Sequence, residues 1–350
     1  METIIKKDIR KAPDEELISF FEEVGEKPFR LKQVKEWIWE KSAINFDDMT
    51  NISLSTREKL KSKYDFLPIH MHSLRHSNDG TIKCVHKLYD GALIESVLIP
   101  VYERITACVS SQVGCSLNCK FCATGYLARD RNLDAAEIYD QVVAVKNLAA
   151  EQYDRALSNI VFMGMGEPLL NYNNVMRAIE KITSKDGLHM SASRITLSTS
   201  GISKMIEKLA DDGAKFNLAL SLHSANDAKR SQIMPINDTN NLQTLKDALI
   251  YFYAKTKNDI TLEYCVWKGF NDTLQDADEL YKYSTSVPCK INLIEYNAIS
   301  EANFMNTDAA KMDIFYKHLL QKGAKVTIRK SRGRDIDAAC GQLAGKITPT

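Results

Sequence analysis

The sequence predicts an α/β protein in which a small all-α domain precedes an open or closed α/β barrel. From about residue 104 onward, strand-like apolar runs alternate with helical stretches, and this alternation is typical of parallel strands joined by crossover helices. Residues 1–75 carry helical signals instead, among them the helical spacing of Val34, Trp37 and Ile38.

Each element of the barrel has its own run of residues. The runs that predict strands are Arg104–Ser110, Asn159–Met163, Arg194–Ser198, Phe216–Leu222, Ile260–Val266, Ile291–Tyr296 and Lys325–Arg329. Helices are expected over 134–150, 173–183, 202–211, 242–256, 273–284 and 308–321. Between the two units, Asp90-Gly91 is a two-residue turn signal and predicts a β-hairpin. The predicted parts are therefore a helical domain over 1–75, a hairpin extension over 76–103 and a barrel over 104–350.

Composition excludes several classes of protein. The chain has 350 residues, is 44% hydrophobic and carries a net charge of +1. No apolar run approaches the roughly 20 residues that span a bilayer. The first eight residues include acidic side chains and lack the apolar core of a signal peptide. Eight cysteines are too few for a disulfide scaffold of this length. We therefore expect a cytoplasmic protein without a membrane partner.

Basic residues are concentrated near the C-terminus. Residues 321–350 hold seven Lys or Arg, Lys346 included, and two Asp, which gives this segment a net charge of +5. The run Arg329-Lys330-Ser331-Arg332-Gly333-Arg334 lies within it. Such a run can bind phosphates, or it can be a solvated surface loop, and charge alone does not separate the two.

Three cysteines, Cys115, Cys119 and Cys122, have the spacing C-x3-C-x2-C, with Phe121 just before the third. Three thiolates can hold three corners of a [4Fe–4S] cube and leave the fourth iron open, whereas an electron-transfer cluster usually has four thiolate ligands. An open iron can chelate the amino and carboxylate groups of S-adenosylmethionine (SAM). The spacing resembles that of the radical-SAM superfamily. A zinc site is the alternative, but structural zinc needs four ligands, and no second cysteine pair exists.

Polar and glycine-rich segments follow the predicted strands. They are the cluster loop, Gly164–Pro168, Ser198–Gly201, Ser221–His223 and Asn297. Ligands of parallel α/β folds bind at the carboxyl ends of the strands, so these segments are expected to converge on one rim. Glycines in the second segment are expected to allow close approach of the backbone to a ligand.

Several motifs together are similar to those of the RlmN/Cfr family of radical-SAM adenine methyltransferases that act on RNA. These motifs are Ser111–Gly125, FMGMGEPLL at Phe162–Leu170, Ser221–His223, Met234–Asn237 and Asp335–Leu343. The similarity extends over nearly the whole chain. Pro168 and Val113 resemble the branch that methylates C2 of adenine, and methylation of C8 is the alternative.

The resemblance implies a fold, cofactors and site residues. The fold would be a partial (βα)6 TIM-like barrel with a small all-α N-terminal domain. One [4Fe–4S] cluster would be held by the three spaced cysteines, and two SAM molecules would be used per turnover. Cys340 would carry a methyl group from one SAM, Cys108 would form a transient disulfide with Cys340, and Glu95 would accept a proton. The residues implied to line the SAM pocket are Gly166, Glu167, Ser198, Ser221, Leu222, His223 and Asn297.

The resemblance also implies partners. The substrates would be an adenosine in the peptidyl-transferase region of 23S rRNA and the adenosine beside the anticodon of tRNAs. The helical domain and the basic C-terminal run would contact this RNA. An external electron donor of the flavodoxin or ferredoxin type is implied, and we expect a monomer.

Overall fold

One ten-stranded sheet organises the protein, whose computed structural model describes residues 6–345. Its strand order is β14-β13-β12-β11-β10-β9-β6-β5-β4-β3, and two short pairs, β1–β2 and β7–β8, lie outside it. The strands are β1 Lys7–Asp8, β2 Tyr64–Asp65, β3 His70–His76, β4 Ile82–Lys87, β5 Leu93–Val101, β6 Arg104–Cys108, β7 Gln112–Val113, β8 Arg131–Asn132, β9 Asn159–Phe162, β10 Ile195–Thr199, β11 Asn217–Ser221, β12 Ile260–Val266, β13 Cys289–Glu295 and β14 Val326–Arg329.

Helices cover the sheet and build the N-terminal region. They are α1 Asp14–Glu23, α2 Phe29–Lys35, α3 Leu54–Lys63, α4 Ala135–Tyr153, α5 Tyr172–Thr183, α6 Ser203–Asp211, α7 Asp227–Ile233, α8 Leu242–Thr256, α9 Leu274–Thr285 and α10 Ala309–Gln321. Capping boxes at Asp134 and Thr273 fix the starts of α4 and α9, since each side chain accepts from a backbone amide of the first turn. Within residues 6–345, no helix is both long enough and apolar enough to cross a bilayer.

The predicted barrel is confirmed. Seven strands, β6 and β9 to β14, run parallel, and a helix follows each of the first six. The edge strands of the described sheet, β14 and β3, pair with one neighbour each and not with one another. The barrel is therefore open, and its seventh strand, β14, leads directly into the C-terminal loop.

Strand β3, His70–His76, crosses the predicted boundary at residue 75. β3 is a strand that pairs with β4, and β4 pairs with β5, so the antiparallel hairpin is a continuous part of the large sheet. The region before it is not purely helical either, because β1 and β2 form a short parallel pair. β3 lacks alternating apolar residues because most of it is an exposed edge, which explains why its pattern gives no strand signal.

A buried ion-pair network joins the N-terminal region to the barrel. Arg10 is 4% exposed and binds Asp8 at 2.8 Å and Asp140 of α4 at 2.6 Å. The ring of Trp39 packs edge-on against Tyr139, with centroids 5.1 Å apart. Separating the N-terminal region from α4 would leave these buried charges uncompensated. The network therefore holds the N-terminal region against α4.

Sheet register places the polar side chains of neighbouring strands on one face. Directly paired residues point to the same side of a sheet, and every second residue follows them. Ser221 pairs with Glu263, and Ile294 pairs with Arg329. On the antiparallel side, Val97 pairs with Cys108. This inner face ends in the loops that carry the candidate site.

Candidate active site

The three spaced cysteines lie on a loop that leaves the sheet after β6 and is closed at its base by β7 and β8. The loop turns sharply at Asn118, whose φ of 52° is in the left-handed region. Burial raises the pKa of Cys119, and Cys122 and Cys115 raise it further, so the three thiols lie close enough to interact electrostatically. Burial also raises the pKa of Cys115 to about 11.

Aromatic rings pack behind this loop. Phe121 lies with its centroid 4.7 Å from the His223 ring and 5.2 Å from the Trp267 ring. Cys119 belongs to the same buried cluster, in which Trp267 is fully buried. The rings exclude water from one side of the cysteines, which strengthens electrostatic interactions there.

The segment after β9 packs tightly onto the segment that leads into the cysteine loop. A Cβ at Gly166, where φ is 94°, would lie 2.5 Å from Cβ of Gln112, and a Cβ at Gly164 would lie 2.7 Å from Oγ of Ser110. The Glu167 amide donates to Oε1 of Gln112 at 2.8 Å. The two glycines therefore allow close packing of two loops, in addition to the approach to a ligand that the sequence predicted.

Glu167 joins two strand ends. Its carboxylate accepts from the Ser200 amide at 2.8 Å and from the Leu169 amide at 3.1 Å, and the residue is 2% exposed. Burial raises the pKa of Glu167, and the backbone amides oppose this effect. Each carboxylate oxygen has a second lone pair, so the side chain can still accept from a bound cation.

A cavity of about 150 Å³ opens between these loops. It brings together one cysteine of the cluster loop, the glycine-rich segment, the ends of five strands and the C-terminal loop. Its lining residues are Cys122, Phe162, Met163, Gly164, Gly166, Glu167, Pro168, Ser198, Thr199, Ser200, Ser221, His223, Glu263, Ile294, Arg329, Cys340 and Gly341.

Two residues predicted for the SAM pocket lie beside this cavity rather than in its lining. Leu222 is fully buried, and its amide donates to the Glu263 carbonyl at 3.0 Å. Asn297 donates from Nδ2 to the Cys340 carbonyl at 3.0 Å and accepts from Nε of Arg334 at 2.8 Å. In this structure Asn297 therefore holds the C-terminal loop.

His223 lines the cavity with an uncharged ring. Its Nδ1 accepts from the Cys265 amide at 3.1 Å, and its φ of 58° is in the left-handed region. Burial lowers the pKa of His223 to about 3, so the imidazole is neutral at physiological pH.

The loop that carries Cys340 lies on the cysteine loop. The Ala123 amide donates to the Gly341 carbonyl at 2.7 Å, and Oγ1 of Thr124 donates to the Leu343 carbonyl at 2.6 Å. A Cβ at Gly341 would lie 3.2 Å from the Phe121 carbonyl. Cys340 itself is exposed, at the mouth of the cavity.

Arg329 connects the two distant cysteines. The Cys340 sulfur, which interacts with the guanidinium, raises the pKa of Arg329 most, and Glu263 and Cys108 act in the same direction. Burial, followed by the Cys340 thiol, raises the pKa of Cys108 to about 12, while Arg329 opposes both effects. Cys108, Cys340 and Arg329 therefore form one cluster. Both cysteines are free thiols in this structure.

Glu95 lies beneath the C-terminal loop in a neighbouring cavity of about 200 Å³. The side chain is 1% exposed, and its Oε2 accepts from the Ala344 amide at 3.0 Å. The Glu95 carbonyl accepts from Oγ of Ser110 at 2.6 Å, which ties β5 to the segment before the cysteines.

Sequence reasoning missed two charged residues at the site. Glu263 is 4% exposed, has an Oε2 without a hydrogen-bond partner, and lies 3.8 Å from Arg329. Arg230 is fully buried and donates to the carbonyls of Ser200 and Leu222. For Glu263 the strand period could have been the signal, because it stands on the inner face of a buried strand. Arg230 precedes the Met234–Asn237 motif by one helical turn.

The basic C-terminal run has two different environments. Arg329 lines the cavity, while Arg332 lies 3.9 Å from Asp79, and Arg334 lies 2.5 Å from Glu295 near the surface. The run is thus neither wholly a surface loop nor wholly a cavity wall. Lys346, counted in the predicted basic segment, lies outside the described residues.

Comparison with known proteins agrees with this geometry. The family model for the ribosomal RNA large subunit methyltransferase N-terminal domain matches residues 8–65, and that for the radical SAM superfamily matches residues 109–283. A relative from Cytophaga hutchinsonii named "Probable dual-specificity RNA methyltransferase RlmN" is 58% identical over 98% of this chain and 94% of its own length. A relative of the same name from Christiangramia forsetii is 57% identical over 97% of each chain. The chain belongs to the RlmN family of radical-SAM RNA methyltransferases.

A solved structure supports the same assignment at the level of the whole fold. The crystal structure of a radical SAM methyltransferase from Sphaerobacter thermophilus superimposes with a TM-score of 0.91 at 36% identity, and the match covers 97% of this chain and 100% of that one. RlmN-family membership implies a [4Fe–4S] cluster and SAM.

The cysteine loop fits such a cluster. In residues 6–345, no group of three or more His, Cys, Asp or Glu side chains is arranged to hold a single metal ion. A [4Fe–4S] cube instead binds each thiolate to a different iron. Cys122 and Cys115 raise the pKa of Cys119 because neighbouring thiolates repel one another. A cationic group bound between the three sulfurs would offset this repulsion and stabilise them as thiolates.

Proposed function

We propose that the protein methylates C2 of an adenosine in the peptidyl-transferase region of 23S rRNA and of the adenosine beside the anticodon in tRNAs. One observation carries the proposal. Cys340 stands at the mouth of the cavity lined by the family motifs, and Arg329 links it to Cys108. The close relatives are named as dual-specificity RNA methyltransferases, which agrees with two RNA substrates.

Each cysteine has a separate task in this proposal. The cluster, held by Cys115, Cys119 and Cys122, would supply an electron, and two SAM molecules per turnover would supply the methyl group and the radical chemistry. Cys340 would accept the methyl group as a thiolate and carry its carbon to adenine C2. C2 is an electron-poor aryl carbon. It is therefore not nucleophilic enough to take a methyl group directly from SAM.

Release of the product would use the remaining residues. Glu95 would accept the proton lost from C2 of the covalent Cys340–RNA adduct. Cys108 would then attack the Cys340 sulfur, so that a disulfide forms as the bond between that sulfur and the methylene carbon breaks. The electron pair of the broken bond stays with the carbon and is protonated to complete the methyl group. Arg329, beside both sulfurs, would stabilise the thiolate forms.

The cavity residues would hold SAM. Gly166, Glu167, Ser198, Ser221 and His223 line the cavity. Leu222 and Asn297 would contribute from its edge, Leu222 through its backbone and Asn297 after a change of partner.

The RNA surface and the other partners are also proposals. The N-terminal region and the exposed residues of the basic C-terminal run would bind RNA phosphates. The target base has to be accessible, so the RNA would be splayed or not yet folded at the site. An electron donor of the flavodoxin or ferredoxin type would reduce the cluster, and the enzyme would act as a cytoplasmic monomer.

Mass spectrometry of nucleosides from 23S rRNA and tRNA, in cells with and without the gene, tests this function. Loss of 2-methyladenosine from both pools is the expected result. Loss from one pool would restrict the substrate, and loss of 8-methyladenosine would assign the alternative C8 reaction. No change in either nucleoside would contradict RNA adenine methylation by this protein.

A further inference from the structure

Lys83, which forms a buried ion pair with Glu95 beneath the C-terminal loop, has no task in the reaction described above. Nζ of Lys83 lies 3.4 Å from Oε1 of Glu95, and the two residues are 3% and 1% exposed. Register explains the contact: Lys83 pairs with Val97 and Glu95 pairs with Val85, so the two charges are diagonal neighbours on the inner face of β4 and β5. A buried lysine needs such a partner, because an isolated buried ammonium is costly.

The pair holds the Cys340 loop at two points. Nζ of Lys83 also donates to the Asp337 carbonyl at 3.2 Å, and Oε2 of Glu95 accepts from the Ala344 amide at 3.0 Å. These loop residues stand three positions before and four positions after Cys340. One ammonium and one carboxylate therefore fix both sides of the segment that carries the thiol.

Other contacts hold the loop without this pair. Within the segment, the carbonyls of Cys340, Gly341 and Leu343 accept from neighbouring loops, as described above. Before it, Asp335 accepts from Oγ of Ser77 at 2.5 Å, and the Gly333 amide donates to Asp79 at 3.0 Å. Loss of the pair should therefore loosen the segment at its two ends, Asp337 and Ala344, while the base of the loop stays attached.

The strength of both anchors depends on the charge of Glu95. Hydrogen bonds to an ionised carboxylate are roughly twice as strong as neutral ones, and an uncharged acid loses its attraction for the ammonium. The other charged residues that line the same cavity are Glu301 and Asp337. Neither can replace Glu95 at the Ala344 amide, which has that carboxylate as its acceptor.

We propose that Lys83 is a positioning residue, and that the Lys83–Glu95 pair is a clamp that holds the Cys340 loop closed until Glu95 accepts a proton. The inference rests on the proposed role of Glu95 as proton acceptor. Proton transfer from the substrate to Glu95 weakens its bond to the Ala344 amide and removes the counter-charge that holds Lys83 in place beside the Asp337 carbonyl. The loop then loosens at the step at which Cys340 has to leave the product carbon and meet Cys108.

Hydrogen exchange of the reconstituted full-length protein, without RNA, tests the clamp. Peptides that cover 337–345 are followed by mass spectrometry. In Lys83→Met and in Glu95→Gln, we expect exchange in this segment to rise about tenfold or more, because charge-assisted bonds are lost. Lys83→Arg should restore protection to within about threefold of the wild type, since it keeps the charge. Lys87→Met removes an exposed lysine of the same strand and should leave the segment unchanged.

The double variant Lys83→Met/Glu95→Gln shows whether the two residues act as one unit. We expect it to exchange no more than about twofold faster than either single variant, because coupled residues are not additive. Additive effects, or equal exchange in Lys83→Met and the wild type, would overturn the clamp.

Turnover separates a positioning role from a merely structural one. Lys83→Met should lower kcat for RNA methylation about tenfold with KM within about threefold, and Lys83→Arg should recover most of this loss. A loss confined to KM would contradict the proposal. The exchange experiment contains no RNA, so it tests the clamp independently of the proposed function. The clamp can fail while the wild-type protein still forms methyladenosine, and the clamp can hold in a protein that forms none.

Discussion

Replacing Gly166 by alanine tests how the glycine-rich segment after β9 is packed. A side chain at φ of 94° is strained, which costs about 1–2 kcal/mol. The new Cβ would also lie 2.5 Å from Cβ of Gln112 and 2.9 Å from its backbone nitrogen, and such overpacking costs about 1–3 kcal/mol. Lower entropy of the unfolded chain returns about 0.4–1 kcal/mol. The expected net loss in the free energy of unfolding is therefore about 2–4 kcal/mol.

Gly323→Ala is the matched control. Gly323 has a φ of 89°, close to that of Gly166, but a Cβ there would meet nothing within 4 Å. We expect this variant to lose only about 1 kcal/mol, because the strain remains and the collision is absent. The difference between the two variants measures the packing of Gly166 on Gln112 alone.

Urea unfolding of the purified proteins, followed by circular dichroism, gives both values from the shift in midpoint at a common m-value. Since Glu167 follows Gly166 directly, Gly166→Ala should also weaken SAM binding about tenfold or more in equilibrium dialysis, whereas Gly323→Ala should bind normally. Equal destabilisation by the two substitutions would refute the packing argument.

Three further predictions follow from the site and its surroundings. Arg329→Met should lower the rate of methyl transfer about tenfold or more in a single-turnover assay, because a charge beside both thiols is lost, while Arg332→Met should stay within about twofold. Cys108→Ala should accumulate a covalent Cys340–RNA complex on a denaturing gel, since the bond to carbon is no longer resolved; absence of the complex would contradict the role of Cys108. Burial lowers the pKa of His86 from 6.5 to about 4, so the unfolded state binds the proton more readily, and stability is lost as the pH is lowered through this window. Wild type should lose about 3 kcal/mol more than His86→Gln between pH 6.5 and 4 in urea titrations, and parallel curves would show that His86 is not the cause.

The barrel was predictable where its strands are buried on both faces. β12 agrees with the predicted run Ile260–Val266 at both ends, and all seven of its residues are buried. α8 likewise agrees with the predicted 242–256, where an Asn241 cap and an apolar stripe mark the helix. The residue pattern within such an element is enough to predict it, and the tertiary contacts agree with that pattern.

β3 was not predictable for the opposite reason. Its residues His70–His76 are mostly exposed, and the strand exists because β4 offers hydrogen bonds along its edge. The same limit applies to the short β1–β2 pair, which is formed by residues nearly sixty positions apart. Pairing of this kind is a property of the assembled sheet.

The candidate site also has residues that could be predicted from the sequence and residues that could not. The spacing of the cluster cysteines and the glycine-rich turn could be read locally, and the structure places both at the carboxyl ends of neighbouring strands. Arg329, Glu263 and Lys83 could not, because their roles arise from partners far away along the chain. Arg329 was counted within a basic run, where charge density alone gave no reason to separate it from Lys330.

An open barrel explains why Cys340, the thiol proposed to carry the methyl group, lies on the C-terminal loop. Because β14 and β3 do not pair, the sheet leaves one side of the inner face uncovered, and a large RNA needs such an opening. The chain leaves β14 at Arg329 and crosses this side, with contacts to Asp79 on the β3–β4 turn, to Lys83 and to Glu95. The antiparallel extension therefore supplies the surface on which the loop closes. A closed barrel would leave no open side for the loop to cover. The open sheet therefore provides the space in which the loop that carries Cys340 can close and move.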